Sequence, residues 1–319
     1  MKKAYDVVAL GELLIDFTEN GTSGQGNPIL EANPGGAPCN VLAMLNRLGH
    51  QTGFIGKVGQ DQFGRQLEKA LEEVGIHTEG LIKDENIHTT LAFVHTLAGG
   101  DRDFSFYRNP GADMMLTENE LNVDLIKNCR IFHFGSLSMT DEICRNATKK
   151  AIGLAKGSGA LLSFDPNLRE PLWESLDAAR EQIAYGMTQC DILKISDNEI
   201  QWFTGEQDFD QGVAYLQSKY PIRLILVSLG KEGSRAYMGG TCVQAEPFLQ
   251  KNTIETTGAG DTFCACVLHF VLEQGFRTYS EEELKRMLTF ANAAASLITT
   301  RKGALRVMPE KAEIEALCR

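Results

Sequence analysis

What the chain lacks narrows its function before any motif is read. No apolar run in the 319 residues approaches the ~20 that span a bilayer. The richest, over 263–272, is interrupted by His269. The N-terminal run Val7-Val8-Ala9-Leu10 is too short for a signal h-region and stops at Gly11-Glu12. Eight cysteines are scattered without a CxxC pair, so zinc-site spacing is missing and reduced, buried thiols are expected. Positive charge is in deficit: 31 Lys+Arg stand against 42 Asp+Glu, a net charge of −11. A general nucleic-acid binder needs a basic face to displace condensed counterions, so that class is disfavoured. A phosphorylated ligand is not, because backbone N–H groups, a few local cations and a metal suffice to hold one. The expectation is a soluble cytoplasmic protein with neither a membrane nor a nucleic acid as partner.

Three common catalytic signatures are also missing. Gly56-Lys57 continues into Val58 and Gly230-Lys231 into Glu232, so there is no P-loop. There is no HExxH helix and no GxSxG elbow. No internal repeat, low-complexity tract or linker divides the chain, which reads as one domain over 1–319.

What is present is an alternation of strand-like and helix-like segments. Strands are expected over 5–10, 51–58, 131–134, 160–164, 192–195 and 223–228. Between them lie helical patterns over 40–48, 61–74, 141–155 and 176–188, the first with Asn40 as its N-cap and Gly49 just past its end. Such alternation indicates an α/β fold with a mainly parallel sheet covered on both faces. Two segments break the rhythm. Residues 17–33 are polar and rich in Gly and Asn, and 88–108 read as two strands joined by a turn at Ala98-Gly99-Gly100-Asp101. A small separate lid sheet, built from segments of about 17–33 and 87–110, is expected.

The chemistry concentrates in glycine-bearing loops. Glu255-Thr256-Thr257-Gly258-Ala259-Gly260-Asp261-Thr262-Phe263 precedes a helix that closes near Gly275. Small residues before a helix let backbone N–H groups face a ligand, and the helix dipole adds partial positive charge. That makes an anion hole suited to a transferring phosphoryl group. Asp261, at its mouth, is either a cap for the helix or a general base for an attacking hydroxyl. Two further loops, Asn33-Pro34-Gly35-Gly36-Ala37 and Val227-Ser228-Leu229-Gly230-Lys231-Glu232-Gly233, also follow predicted strands or precede a helix. Ligands of open α/β sheets bind outside the carboxyl ends of strands, so the three loops point to one crevice.

These residues resemble the PfkB family of carbohydrate kinases, and within it bacterial fructokinases. The likeness runs from Val7 to about Pro309. It rests on Gly35-Gly36-Ala37-Pro38-x-Asn40, on Phe54-Ile55-Gly56-Lys57-Val58-Gly59 with Asp61-x-Phe63-Gly64, and on Thr256 to Phe263. The resemblance implies a ribokinase-like three-layer sandwich with a β-sheet lid. It implies transfer of the γ-phosphoryl of ATP to a sugar hydroxyl with Mg²⁺, and a homodimer joined through the lid. In that reading Asp261 is the base and Gly258, Ala259 and Gly260 the anion hole. Asp16, Gly35, Gly36 and Asn40 contact the sugar. Lys194, Ser228, Gly230, Gly233 and Asn292 approach the nucleotide.

Two departures from the family pattern matter. In Lys194-Ile195-Ser196-Asp197-Asn198-Glu199, Glu199 matches the glutamate of the Mg²⁺ shell, acting through water, but Ser196 stands where many members have Asn. Glu255 replaces an Asp that, with Thr257 and backbone near Gly303, forms a monovalent-cation site in relatives; stimulation by K⁺ is the expectation. For the substrate, Arg108 in Phe104 to Asp113 and Arg169 in Asp165-Pro166-Asn167-Leu168-Arg169 resemble fructokinase segments. Arg169 also suits the carboxylate of 2-keto-3-deoxygluconate, which leaves a kinase for that acid as the alternative. A nucleoside kinase and a non-catalytic kinase-like subunit remain as further readings.

Overall fold

The computed structural model describes residues 3–96 and 102–319. Its strands are β1 (Tyr5–Leu10), β2 (Leu14–Thr22), β3 (Pro28–Gly35), β4 (Thr52–Gly59), β5 (His77–Asp84), β6 (Leu91–Thr96), β7 (Arg102–Tyr107), β8 (Cys129–Gly135), β9 (Leu161–Asp165), β10 (Ile192–Ser196), β11 (Leu224–Ser228), β12 (Ser234–Met238) and β13 (Thr241–Ala245). Its α-helices are α1 (Ala37–Arg47), α2 (Gln62–Glu73), α3 (Val123–Lys127), α4 (Glu142–Gly157), α5 (Leu176–Gln189), α6 (Asp197–Thr204), α7 (Phe209–Lys219), α8 (Ala259–Gln274), α9 (Glu281–Ile298) and α10 (Lys311–Leu317).

Nine strands form one sheet in the order β13-β12-β11-β10-β9-β8-β1-β4-β5. The seven from β11 to β5 are parallel, and β12–β13 is an antiparallel hairpin at one edge. Because side chains alternate along a strand, Val7 and Ala9 of β1 enter one core while Val8 and Leu10 enter the other. Helices α1, α2, α8, α9 and α10 supply the first core, and α3 to α7 the second. The result is the three-layer arrangement that near-continuous apolar strands require. No helix among the described residues is long and apolar enough to cross a membrane.

A second sheet has the order β3-β2-β6-β7. It is built from both of the segments that interrupt the alternation, but it is longer than expected, starting at Leu14 and running to Gly35. The expected turn at 98–101 lies outside the described residues. The cross-strand row Asn33–Asp16–Ala92–Phe106 shows which side chains share a face. Asp16, Thr18, Val94 and Phe106 face the large sheet's carboxyl edge, where they line a cleft. Phe17 and Phe93 stack at 4.9 Å on the opposite face, and Phe17 meets Phe63 of α2 edge-on at 5.7 Å.

The first helix begins earlier than the sequence pattern indicates. Its N-cap is Gly36, with Pro in the first turn, where a missing N–H costs nothing. Asn40 is therefore inside α1 and not its cap. It is buried, and its side chain is directed elsewhere.

Candidate active site

A cleft of about 410 Å³ lies between the small sheet and the carboxyl edge of the large one. Asp261 stands in its wall, in the first turn of α8. The N-cap of that helix is Gly258, with φ of 77°, and no side chain caps it. Asp261 is thus not the capping residue. The turn needs glycine twice over: the conformation is left-handed, and a Cβ on Gly258 would lie 2.8 Å from the Ala304 methyl. The amides of Ala259, Gly260 and Asp261 belong to the first turn, where no earlier helical carbonyl is available, and the helix dipole points at the cleft. Ala259 N–H donates to the Thr256 carbonyl at 3.2 Å, which closes the loop.

Asn40 Nδ2 donates to Asp261 Oδ2 at 2.8 Å. The Asn40 Oδ1 atom is buried and has no protein partner among the described residues. Burial raises the Asp261 carboxyl above the ordinary aspartate value; the Asn40 hydrogen bond and the charges of Lys194 and Arg169 offset part of that rise. A raised carboxylate is a stronger base than a solvated one, as proton abstraction requires.

Lys194, on β10, forms a buried ion pair with Asp165 of β9 at 3.0 Å. Burial works against the ammonium, but the carboxylates of Asp165, Glu199 and Asp261 outweigh it, and the Lys194 pKa is raised. Asp165 is pushed up to about 6 by burial, against the pull of Lys194. Just beyond it Asn167 takes a φ of 44°, rare for a residue with a side chain, and lines the cleft beside Arg169. Neither Asp165 nor Asn167 was singled out from the sequence as a site residue.

The opposite wall is backbone held tightly. Glu12 accepts from the Ala37 amide at 2.8 Å, and burial pushes its carboxyl up to about 7. A Cβ on Gly35 would lie 2.1 Å from Asp16 Oδ2, and one on Gly36 (φ 128°) 2.3 Å from the Glu12 carbonyl oxygen. Only glycine lets the turn pass this close to two acids. Glu12 escaped the sequence reading; an acid directly after a buried strand's carboxyl end is the signal that marks it.

A neighbouring cleft of about 330 Å³ is lined by Arg169, Lys194, Ser196, Asn198, Glu199 and Trp202, among others. Glu199 completes a capping box at the start of α6. Its Oε2 accepts from the Ser196 amide and hydroxyl at 2.8 and 2.9 Å, and its Oε1 from the Leu168 amide at 2.8 Å. With both oxygens so engaged, the carboxylate fits a hydrated Mg²⁺, which keeps several waters, better than direct ligation. Ser228 pairs in register with Ser196, one strand over. Gly230 and Gly233 follow it with φ of 54° and 90°, but these three residues line neither cleft.

Glu255, Thr257 and Gly303 come together on the main cleft. The Gly303 amide donates to Glu255 Oε1 at 2.7 Å, tying the loop before α8 to the one after α9. An oxygen-rich corner of this kind suits an alkali cation, with one Glu255 oxygen already accepting a hydrogen bond.

Two expected site residues are elsewhere. Arg108 is buried: its Nε and Nη2 bond Asp113 at 2.8 Å, Nη1 the Thr140 hydroxyl at 2.9 Å, and Nη2 the Leu137 carbonyl at 3.1 Å. Its guanidinium braces the cleft wall from behind and does not line it. Asn292 is likewise consumed: its amide oxygen accepts from Ser234 at 2.8 Å, and its NH₂ donates to the carbonyls of Ala245 and Glu246. It staples α9 to the β12–β13 edge instead of presenting an amide to adenine.

Residues 4–311 match the pfkB family carbohydrate kinase. Probable fructokinase-2 of Arabidopsis thaliana is 43% identical over 310 residues, covering 96% of this chain and 94% of that protein. The structure of a fructokinase with bound ATP from Xylella fastidiosa superposes with a TM-score of 0.88 at 28% identity, covering 98% of this chain and 97% of that one. That of a fructokinase from Vibrio cholerae O395, in its fructose, ADP and calcium ion bound form, gives 0.88 at 28% identity and 99% of both chains. The likeness to fructokinases is thus not confined to bacterial ones.

Proposed function

The chain belongs to the pfkB family of carbohydrate kinases, and from that membership we propose that it transfers the γ-phosphoryl of ATP to a hydroxyl of D-fructose, with Asp261 as the general base. An ATP-dependent sugar phosphotransferase needs an acid that opens to a cleft at the positive end of a helix, and Asp261 is seated so.

In the proposed reaction Asp261 takes the hydroxyl proton as the sugar oxygen attacks the γ-phosphorus. The O–H bond breaks, the new O–P bond forms, and the bond from γ-phosphorus to the β-phosphate oxygen breaks. Asn40 fixes Asp261 from one side, and its unpartnered Oδ1 accepts from a second sugar hydroxyl. Asp16 and the amides at Gly35 and Gly36 orient the remaining hydroxyls. The amides at Gly258 and Gly260 take the phosphoryl oxygens, Ala259 holds the loop between them closed through its bond to the Thr256 carbonyl, and Arg169 and Lys194 supply positive charge beside them. Ser228, Gly230 and Gly233 border the nucleotide. Bound with the nucleotide, Mg²⁺ supplies charge neutralisation on the phosphates; Glu199 holds its hydration shell. Glu255, Thr257 and Gly303 hold K⁺, and equal rates in K⁺, Na⁺ and cation-free buffer would remove that ion from the scheme.

The small sheet serves as the lid that excludes water when sugar is bound. It carries Ile29, Leu30 and Tyr107 exposed at 45%, 43% and 67%, which supports a homodimer joined through the lids. Eight free cysteines, six of them buried, support a reducing, cytoplasmic location.

A substrate panel tests the proposal. Fructose, 2-keto-3-deoxygluconate, ribose and adenosine are compared by coupled ADP release. Fructose should give the highest kcat/KM. A preference for the keto acid would reassign Arg169 to a substrate carboxylate, and no ADP release with any sugar would leave a non-catalytic relative.

A further inference from the structure

At the far edge of the large sheet, away from the cleft, three potential metal ligands converge. His50 follows α1, and His269 and Glu273 lie one turn apart on α8. One ligand atom from each lies within 4.8 Å of the others. His50 Nε2 and His269 Nδ1 are 2.7 Å apart, and both rings are buried, at 6% and 8% exposure, while Glu273 is exposed.

Two buried imidazole nitrogens this close require that one carry a hydrogen or that both share a Lewis acid. The surroundings favour a lone pair on His50 Nε2. The other nitrogen of that ring, Nδ1, faces Asp6 Oδ2 at 3.5 Å. Asp6 is itself fixed by the Gln51 amide at 3.0 Å and by Arg130 at 2.9 Å. A carboxylate on the outer nitrogen fixes the tautomer, orients the ring and makes the inner nitrogen a better ligand. Burial disfavours the charged form of both rings, and the neutral imidazole is the form that ligates a metal.

We propose that His50, His269 and Glu273 form a site for a divalent transition-metal ion of the zinc type, with a water as fourth ligand. Two nitrogens and one carboxylate suit Zn²⁺, Co²⁺ or Ni²⁺ and not Mg²⁺ or Ca²⁺, which prefer oxygen. In a tetrahedral zinc shell two nitrogens stand roughly 3.3 Å apart. The rings therefore open by about 0.6 Å from their 2.7 Å contact when the ion takes the place of the shared proton, which leaves His269 Nδ1 for solvent while the ring takes up a proton on Nε2. Arg130 also donates to the Leu272 carbonyl at 2.9 Å, so the surrounding strand and helix are already tied together. The ion clamps the α1–β4 connection to the end of the helix whose first turn carries Asp261. His269 is eight residues beyond Asp261, about 12 Å along the helix axis, so the site is separate from the sugar and nucleotide clefts.

The test uses chelator-treated full-length protein titrated with Co²⁺ and then with Zn²⁺. One equivalent of Co²⁺ should produce the intense visible absorption of a tetrahedral ion, and Zn²⁺ should bleach it. At a hundredfold excess of Zn²⁺ over Kd, the melting temperature should rise by about 4 °C. Glu273→Gln, an exposed substitution that leaves the fold intact, should weaken binding at least tenfold, and His269→Gln should abolish the signal. No absorption in the wild type, or equal binding by wild type and Glu273→Gln, overturns the site. Strong sulfur-to-cobalt charge transfer would overturn it too, by placing the ion on the exposed thiols Cys242 or Cys318.

Discussion

The corner after β7 and the corner after β9 each carry an arginine, and the two arginines have opposite surroundings. Arg108 is buried against Asp113, Thr140 and the Leu137 carbonyl, with every guanidinium nitrogen engaged. Arg169 donates to the carbonyl of its neighbour Leu168 and lines both clefts. The same side chain, at the end of a strand in each case, is scaffold in one corner and working surface in the other. What separates them is whether the protein supplies all the acceptors. A fork of five donors is satisfied either inside the fold or by a ligand.

Substitutions at the cleft and behind it should therefore move different observables. The largest effect belongs to Asp261, whose partner Asn40 leaves it open to the cleft. Asp261→Asn should lower kcat by about 10²–10⁴-fold with the urea midpoint nearly unchanged; wild-type turnover would remove it as the base. Next is Arg108→Met, which strands the buried Asp113 carboxylate. It should cost about 3–5 kcal/mol in unfolding free energy while the folded fraction keeps its sugar KM. A raised KM with unchanged stability would erase the contrast between the corners. Arg169→Met should do the reverse, lowering kcat/KM by about 10–100-fold with the melting temperature held.

The most pH-bound effect of substitution concerns Glu12 and vanishes below pH 4.5. Its carboxyl rises from 4.5 to about 7 on folding, so the folded state holds a proton that the unfolded state has released. Its contribution to stability is complete below pH 4.5 and is lost as pH rises through about 7. Glu12→Gln should flatten that decline, by up to about 3 kcal/mol between roughly pH 5 and pH 8. Denaturant melts at the two pH values check it; parallel slopes for variant and wild type would mean the acid is ionised throughout.

Much of this architecture was legible in the chain. The strand over 5–10, the helical patterns over 61–74, 141–155 and 176–188, and the stop of α8 at Gly275 follow from periodicity and glycine, which act within a few residues. The capping role of Asn40 was misread because Pro38 lets α1 start earlier, and the consequence is functional: one turn into the helix, Asn40 meets Asp261. Residues 17–33 look irregular because their strands are polar on one face. They become strands by pairing with each other and with β6.

The sequence alone settled local matters: the alternating strands and helices from 5–10 to 223–228, the stop of a helix at a glycine, and that an acid follows a glycine loop at a helix start. Those depend on backbone conformations and on neighbours along the chain. Tertiary structure decided which polar groups have something left to offer a ligand. Arg108 and Asn292 are used up by Thr140, Ser234 and Ala245, residues remote in sequence, whereas Asp261 and Arg169 face a cleft. Hydrogen-bond capacity is finite, and only the packed fold determines how much of it is spent inside.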